Sequence, residues 1–308
     1  MFKEARVMFI YTETSLHCGS GTSLGVIDLP IQREKYTNYP VCQASGIKGV
    51  VREWFEYKNG ERDEKIKYTF GPTFDRGESE PHAGAVTFTD GRLLLFPVRS
   101  LNGVFAYTTS RFALSRLMRD LEMAGVKVDW IVPAEAGDDK ILGVQDSKIK
   151  DSNNKVVLEE YTFDFQADDS VKAIAEWIFI KAIPKGPEYE FWRNKVKTDL
   201  LILPENAFRD FVKLSTEVQA RIQIDNKTKT VKRGALFYEE ALPSDSLLYS
   251  VVMAHDPACD NDKRPNDLKN HTDVMKFISD INSNRLQFGG DATIGKGIVN
   301  VNFLNGRG

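Results

Sequence analysis

The stretch Leu16-His-Cys-Gly-Ser-Gly-Thr-Ser-Leu-Gly-Val-Ile-Asp-Leu-Pro-Ile-Gln-Arg-Glu34 sets three glycines, one imidazole and the Asp28 carboxylate in a single irregular run. Such a segment cannot fill a core. Gly19, Gly21 and Gly25 let the backbone take positive φ or come close to another molecule, as a binding loop requires. Before it, residues 5 to 12 (Ala-Arg-Val-Met-Phe-Ile-Tyr-Thr) are β-branched and aromatic and read as a core strand. After it, Ser45 starts a helix. Ile47, Val50, Val51, Trp54 and Phe55 recur there at three- and four-residue spacing, while Lys48 and Arg52 share a different face. Unpaired N–H groups at that start and the Lys48 ammonium together suit a phosphate; the plainer alternative is a solvated lysine.

Working outward, residues 59 to 83 are charged, hold Gly60, Gly71, Pro72, Gly77 and Pro81, and read as an insertion. Ala85–Thr89 and Arg92–Pro97 flank Asp90-Gly91, which predicts a two-residue hairpin turn. A helix follows over Arg111–Ala124, capped by Ser110 and stopped by Gly125. The acidic segment at about 134 to 154 reads as a second insertion. Strand-like 155–165, helical 171–183, strand-like 199–203 and helical 205–214 come next, without the regular alternation of a doubly wound parallel sheet. The fold class is α+β. Residues 217 to 226 alternate Val218, Ala220, Ile222 and Ile224 with polar residues, a period of two with one wet face. Asp225-Asn-Lys-Thr turns the chain, and the return strand completes a long basic hairpin over about 217–240. A strand at 247–254, a helix over about 267–282 and a final strand at 297–303 close the chain.

Composition narrows the function. A chain of 308 residues, 42% hydrophobic, has ample surface to bury, and its net charge of −3 lacks the footprint of a free-standing nucleic-acid-binding protein. Charge is nevertheless polarised: residues 135 to 170 are acidic, while 219 to 235 hold Arg221, Lys227, Lys229, Lys232 and Arg233 against Asp225 alone. Cys18, Cys42 and Cys259 are widely separated, with no Cys-x-x-Cys pair to clamp zinc or frame disulfides, which fits a reducing cytosol. No apolar run approaches membrane-span length and no cleavable leader is visible, so the expected protein is cytoplasmic, with no membrane partner.

The second unusual loop is Leu286-Gln-Phe-Gly-Gly-Asp-Ala-Thr-Ile-Gly-Lys-Gly297. Its Gly297 stands where a P-loop needs a magnesium-binding hydroxyl, and the order is loop then strand, which excludes a nucleotide-hydrolysing P-loop. What survives is a run of backbone N–H groups, with Lys296, able to approach a sugar-phosphate chain; a structural glycine turn is the alternative.

Together these segments are recognisable. His17-Cys-Gly-Ser-Gly, Gly25-Val-Ile-Asp-Leu-Pro-Ile-Gln-Arg-Glu34, Ser45-Gly-Ile-Lys-Gly-Val-Val-Arg52, Phe96-Pro-Val-Arg-Ser-Leu-Asn-Gly-Val-Phe-Ala-Tyr107 and Gly289-Gly-Asp-Ala-Thr-Ile-Gly-Lys-Gly297 resemble the RAMP superfamily. The specific resemblance is to the repeated backbone subunit of the type III-B (Cmr) CRISPR effector complex, over about residues 8 to 301. It implies one RAMP domain over 1–308: a ferredoxin-like palm of RNA-recognition-motif topology, helical insertions and a protruding β-hairpin thumb, for which 217–240 is the candidate. It also implies head-to-tail stacking of copies on a guide RNA, alongside other Cmr subunits. Each thumb then displaces one pair between guide and target RNA. A proline often precedes the Leu-His of the first loop in this family; Ser15 stands there in this chain.

In the family the aspartate of the Asp-x-Pro-Ile-Gln-Arg run cleaves target RNA, and Asp28 matches it. Attack by the RNA's own 2′-OH, giving a 2′,3′-cyclic phosphate, needs a base, neutralisation of charge on phosphorus and a proton for the leaving oxygen. Asp28 is the candidate base or ligand of a divalent metal ion, Mg2+ or Mn2+. His17 is a candidate proton donor or a structural pin, and Glu239 or Glu240 approaches from the thumb. Ser45, Gly46, Lys48, Arg52, Arg33, Gly289, Gly290, Lys296, Arg221 and Lys232 are the expected RNA contacts. The competing function is a non-catalytic scaffold that binds guide RNA.

Overall fold

Along the first strand, β1 (Glu4–Thr12), Met8 and Ile10 enter one hydrophobic core while Val7, Phe9 and Tyr11 enter another. A strand that is apolar on both faces must lie inside a sheet covered on both sides. The computed structural model, which describes residues 2–72, 82–259 and 264–304, shows that arrangement.

The chain continues through β2 (Val41–Cys42), α1 (Ala44–Asn59), α2 (Glu64–Phe70), β3 (Val86–Phe88), β4 (Gly91–Arg99), β5 (Phe105–Ser110) and α3 (Arg111–Met123). Then come β6 (Lys140–Gly143), β7 (Lys155–Leu158), β8 (Tyr161–Ala167), α4 (Asp169–Lys181), α5 (Glu190–Asp199), β9 (Leu200–Leu203) and α6 (Glu205–Leu214). A ribbon, β10 (Glu217–Arg221) and β11 (Phe237–Ala241), precedes β12 (Leu247–Ala254), α7 (His271–Ile278), β13 (Arg285–Gln287) and β14 (Ile298–Leu304). One mixed sheet runs β13-β14-β1-β12-β4-β5-β9-β6-β8-β7, with β2 on β4 and β3 on β12, while β10 and β11 pair separately. Within it β14, β1, β12 and β4 are mutually antiparallel neighbours.

Helices cover both faces. Ile47, Val51 and Phe55 of α1, the apolar sides of α6 and α7, and Ile66 of α2 pack into the first core. Leu114, Leu117 and Leu121 of α3, Val171, Ile174 and Ile178 of α4, and Val196 of α5 fill the second. Phe55 meets Phe277 with ring centroids 4.3 Å apart, tying α1 to α7; burying one such ring is worth about 2–3 kcal/mol. The α3 expectation holds in detail: Ser110 accepts from the Ala113 N–H, and Gly125 takes φ 71° just past the end.

Two expectations change. Asp90-Gly91 is not a hairpin turn, because β3 and β4 do not pair with each other; both lie along β12. Gly91 is needed instead for a close approach, since a Cβ there would come within 3.1 Å of Ile47 Cδ1, and Asp90 Oδ1 accepts the Ala44 N–H at the start of α1. Beyond its buried root, the β10–β11 ribbon also has no dry face. Val218, Ile222, Ile224, Val231 and Leu236 are all about half exposed, because the ribbon stands off the sheet and no layer covers it. The 134–154 segment contributes β6, which enters the sheet between β9 and β8. Of the 59–83 segment, residues 73–81 lie outside the described residues.

Candidate nucleic-acid interface

The first glycine-rich loop is held by the root of the ribbon. Leu29 N–H donates to the Tyr238 carbonyl and Glu240 N–H donates to the Leu29 carbonyl, so the loop extends the edge of β11 opposite β10. That edge fixes Asp28: its Oδ2 accepts the Tyr238 N–H at 2.7 Å, while the residue stays partly exposed. Ser23 N–H donates to the Asp28 carbonyl and closes the tip, where Leu24 and Val26 stand in solvent.

Glu239 and Glu240 follow at once in β11 and are both 2% exposed. Glu240 accepts from Arg33 at 2.5 Å, from the Thr216 hydroxyl at 2.7 Å and from the Ile31 N–H at 3.0 Å. Its carboxylate thereby fastens the loop after Asp28 to the ribbon. Arg33 also donates to the Asn38 and Val212 carbonyls, so its guanidinium is committed within the protein. Glu239 accepts from Arg221 at 2.9 Å and from the buried Lys296 ammonium at 3.1 Å. Arg221 also lies 3.1 Å from Asp291. A hydrogen bond with the Glu239 carboxyl, and then the Arg221 guanidinium, hold the Asp291 carboxyl below the ordinary carboxylate range.

His17 joins the two glycine loops. Its Nδ1 meets the Glu240 carbonyl at 2.6 Å; a carbonyl only accepts, so Nδ1 carries the proton. Nε2 then faces Glu239 Oε1 at 4.0 Å. The His17 carbonyl accepts from Gly290 N–H, and Gly297 N–H donates to the Ser15 carbonyl. Glycine is required here. A Cβ on Gly19 would stand 2.6 Å from His17 Nε2, and one on Gly289, at φ +74°, would overlap the His17 carbonyl oxygen.

Beside this junction lies a groove of about 280 Å³ lined by residues including Gly19, Gln32, Ser45, Gly46, Gly289 and Gly290. It gathers both glycine loops and the start of α1, whose Gln43 cap makes no side-chain hydrogen bond to the helix. Helix-terminal N–H groups and glycine backbone are what a phosphate chain can approach. Lys48 and Arg52 do not line the groove. Lys48 donates to the Val86 carbonyl, and burial, followed by the nearby Arg52 charge, lowers its pKa. Arg52 bonds Glu56 and the Gly71 carbonyl, stapling α1 to the end of α2. Lys232 stands exposed on the ribbon.

Several site residues escape a reading by type. Gln32 donates to the Gly19 carbonyl and accepts the Gln43 N–H, bridging loop and helix. Gln287 Nε2 lies within hydrogen-bond reach of the carbonyls of Phe288, Gly289, Gly290 and Lys296. Asp291 lies inside the second glycine loop, where only its neighbours Gly289 and Gly290 signal a site. Among the described residues no three His, Cys, Asp or Glu side chains converge as a metal cage. The half-exposed Asp28 carboxylate still fits a hydrated divalent ion, because Mg2+ is held by one or two carboxylates together with substrate phosphates.

The fold and groove define an α+β protein with a glycine-lined groove at the foot of a cationic ribbon. The chain belongs to the RAMP superfamily, whose model matches residues 9–300. More particularly, it is 41% identical over 298 residues to the CRISPR system Cmr endoribonuclease Cmr4 of Pyrococcus furiosus, covering 97% of this chain and 95% of that one. It is 28% identical to the CRISPR system CMR subunit Cmr4 of Saccharolobus solfataricus, covering 96% of each. The crystal structure of oligomeric Cmr4 from Pyrococcus furiosus superposes with a TM-score of 0.72 at 32% identity, covering 98% of both chains. Among the described residues no helix is long and apolar enough to cross a membrane.

Proposed function

We propose that this chain is the repeated, guide-RNA-binding subunit of a type III-B CRISPR effector complex in the cytoplasm, and that it cleaves complementary target RNA at regular intervals through the Asp28 loop. The observation that carries this reading is the placement of Asp28: fixed by Tyr238 N–H at the ribbon root, yet partly exposed. The 41% identity to a Cmr endoribonuclease supports the same activity.

The antiparallel order β14-β1-β12-β4, connected through α1 and α7, supports reading this part as a ferredoxin-like palm. The separate ribbon is then the thumb. Its exposed apolar residues can press against bases while its lysines meet phosphates, which suits a wedge between guide and target strands. The groove between Ser45, Gly46, Gly289 and Gly290 takes the guide backbone, and other copies and Cmr subunits extend the track.

Prying one nucleotide out of A-form stacking frees its 2′ oxygen to line up with the scissile phosphate. In this reading Asp28 takes the 2′-OH proton. Its carboxylate and RNA phosphate oxygens would hold Mg2+ or Mn2+, which supplies positive charge against the charge developing on phosphorus. His17 and Glu240 act by holding the loop on the ribbon rather than by touching RNA. Attack of the 2′ oxygen on phosphorus breaks the P–O5′ bond and leaves a 2′,3′-cyclic phosphate, while the departing 5′ oxygen takes a proton from water.

The test is Asp28→Ala assembled with the other subunits and guide RNA. The variant complex should bind matched target as wild type does and leave it whole. Undiminished cutting would overturn the assignment. A wild-type complex that binds target yet never cuts it with Mg2+ or Mn2+ present would instead make the subunit a scaffold.

A further inference from the structure

Cys18 and Cys42 lie 24 positions apart, but the fold sets their sulfurs 2.8 Å from each other, with the Cys18 thiol donating to Cys42. Backbone pairing produces this meeting. Gln32 N–H donates to the Cys18 carbonyl and Val41 N–H donates to the Gln32 carbonyl, so three short segments lie side by side across the loop. Both thiols are free and buried, yet both residues line the wall of the 280 Å³ groove, where a small solute has access. The hydrogen bond to Cys42, then burial, push the Cys18 pKa well above its ordinary value, so Cys18 rests as a thiol.

We propose that Cys18 and Cys42 form a redox-active dithiol, a modification site that hydrogen peroxide converts to a disulfide clamping the Asp28 loop to the entrance of α1. One cysteine sulfur, losing its proton, attacks a peroxide oxygen; the O–O bond breaks, the departing hydroxide takes that proton as water, and a sulfenic acid forms. The second sulfur attacks the sulfenyl sulfur; the S–S bond forms, the S–O bond breaks, and the leaving hydroxide takes the second thiol proton as water. Two thiols lose two electrons and two protons, and one peroxide becomes two waters. The bridge closes the segment from Cys18 to Cys42, which contains Asp28, and thiol reductants reopen it. Cys259 takes no part. This assignment does not depend on the RNA reading.

The experiment uses the full chain exposed to excess hydrogen peroxide and digested without reduction. The expected result is a linked pair of peptides carrying Cys18 and Cys42 that separates on reduction with dithiothreitol. Titratable thiols in denaturant fall from three to one, and the melting temperature rises by about 5 °C, as closing a loop of this length implies. Cys42→Ser should show neither the linked pair nor the rise. Three surviving thiols, a bridge to Cys259, or separate oxidation of both sulfurs without linkage overturns the proposal. So does an oxidised protein no more heat-resistant than the reduced one.

Discussion

At its root the β10–β11 ribbon buries two carboxylates, Glu239 paired with Arg221 and Lys296 and Glu240 with Arg33, Thr216 and the Ile31 N–H, whereas farther out Lys227, Lys229, Lys232 and Arg233 stand in solvent. The two regions belong to the same pair of strands and treat charge in opposite ways. At the root a displaced side chain leaves an unpaired charge in a low-dielectric site, so geometry is specified sharply. At the outer end charges keep their hydration, cost little to place and remain free to meet a partner. A ribbon built in this way holds Asp28 at one fixed position while its far end adapts to what it touches.

The contrast breaks first at the glycines of the root. A Cβ on Gly297, at φ +75°, would overlap the Phe288 carbonyl oxygen, and backbone cannot swing aside as a flexible side chain can. Gly297→Ala should cost about 4 kcal/mol or more, or prevent folding, as read by chemical denaturation of the purified chain. Next is Glu240→Ala, which leaves the half-buried Arg33 guanidinium without its carboxylate and removes the acceptor of Ile31 N–H. About 3 kcal/mol of stability should be lost, with Glu240→Gln losing less because an amide oxygen still accepts. A loss below about 1 kcal/mol would show that the root is less rigid than its buried ion pairs imply.

The outer end should answer differently. Replacing Lys227, Lys229 and Lys232 together by alanine should leave stability within about 0.5 kcal/mol of wild type, since all three are exposed. RNA binding by the assembled complex should weaken and depend less on salt. Its logarithmic salt slope should fall by about 0.7 for each phosphate the ribbon no longer neutralises, as a salt titration of affinity would show. An unchanged slope would separate the ribbon from the RNA.

How far the residues themselves announced this arrangement depends on the kind of interaction. Helices with a clear apolar stripe and a cap, α3 above all, were legible because their determinants are local. The α+β class and both glycine loops were legible for the same reason. The helix α5, with Lys195 and Asp199 buried as a salt-bridged pair, lacks a stripe that local spacing would reveal. The Asp90-Gly91 turn misled because the residues that decide its fate, Ile47 and β12, are distant in sequence. Alternation in 217–226 correctly indicated a strand but not its surroundings, since period two fixes which residues share a face and not whether anything covers it. Asp28 and His17 stood out by residue type. That Arg33 turns inward, that Gln32 spans the loop and that Cys18 meets Cys42 depend on register across long separations, which no local pattern contains.

The smallest expected effect sharpens the comparison at its boundary, where Asp291 sits between buried Glu239 and half-exposed Arg221. Its carboxyl is held below the ordinary range, first by the hydrogen bond with Glu239 and then by Arg221. A carboxyl whose pKa is lower in the folded than in the unfolded chain favours folding in its ionised form. That contribution is complete above the unfolded value of about 3.9 and disappears as pH falls through the lower folded value. Asp291→Asn should therefore destabilise the chain at neutral pH by at most about 1 kcal/mol, because water screens a group this exposed. Below about pH 4 the difference from wild type should begin to shrink, as Asp291 takes up its proton first in the unfolded chain and then, at lower pH, in the folded one. Melting temperatures of the two proteins measured across that range would converge on the acid side. Curves that run parallel down to the acid limit would mean that Asp291 supports the root through shape alone, and that the charged region ends at Glu239.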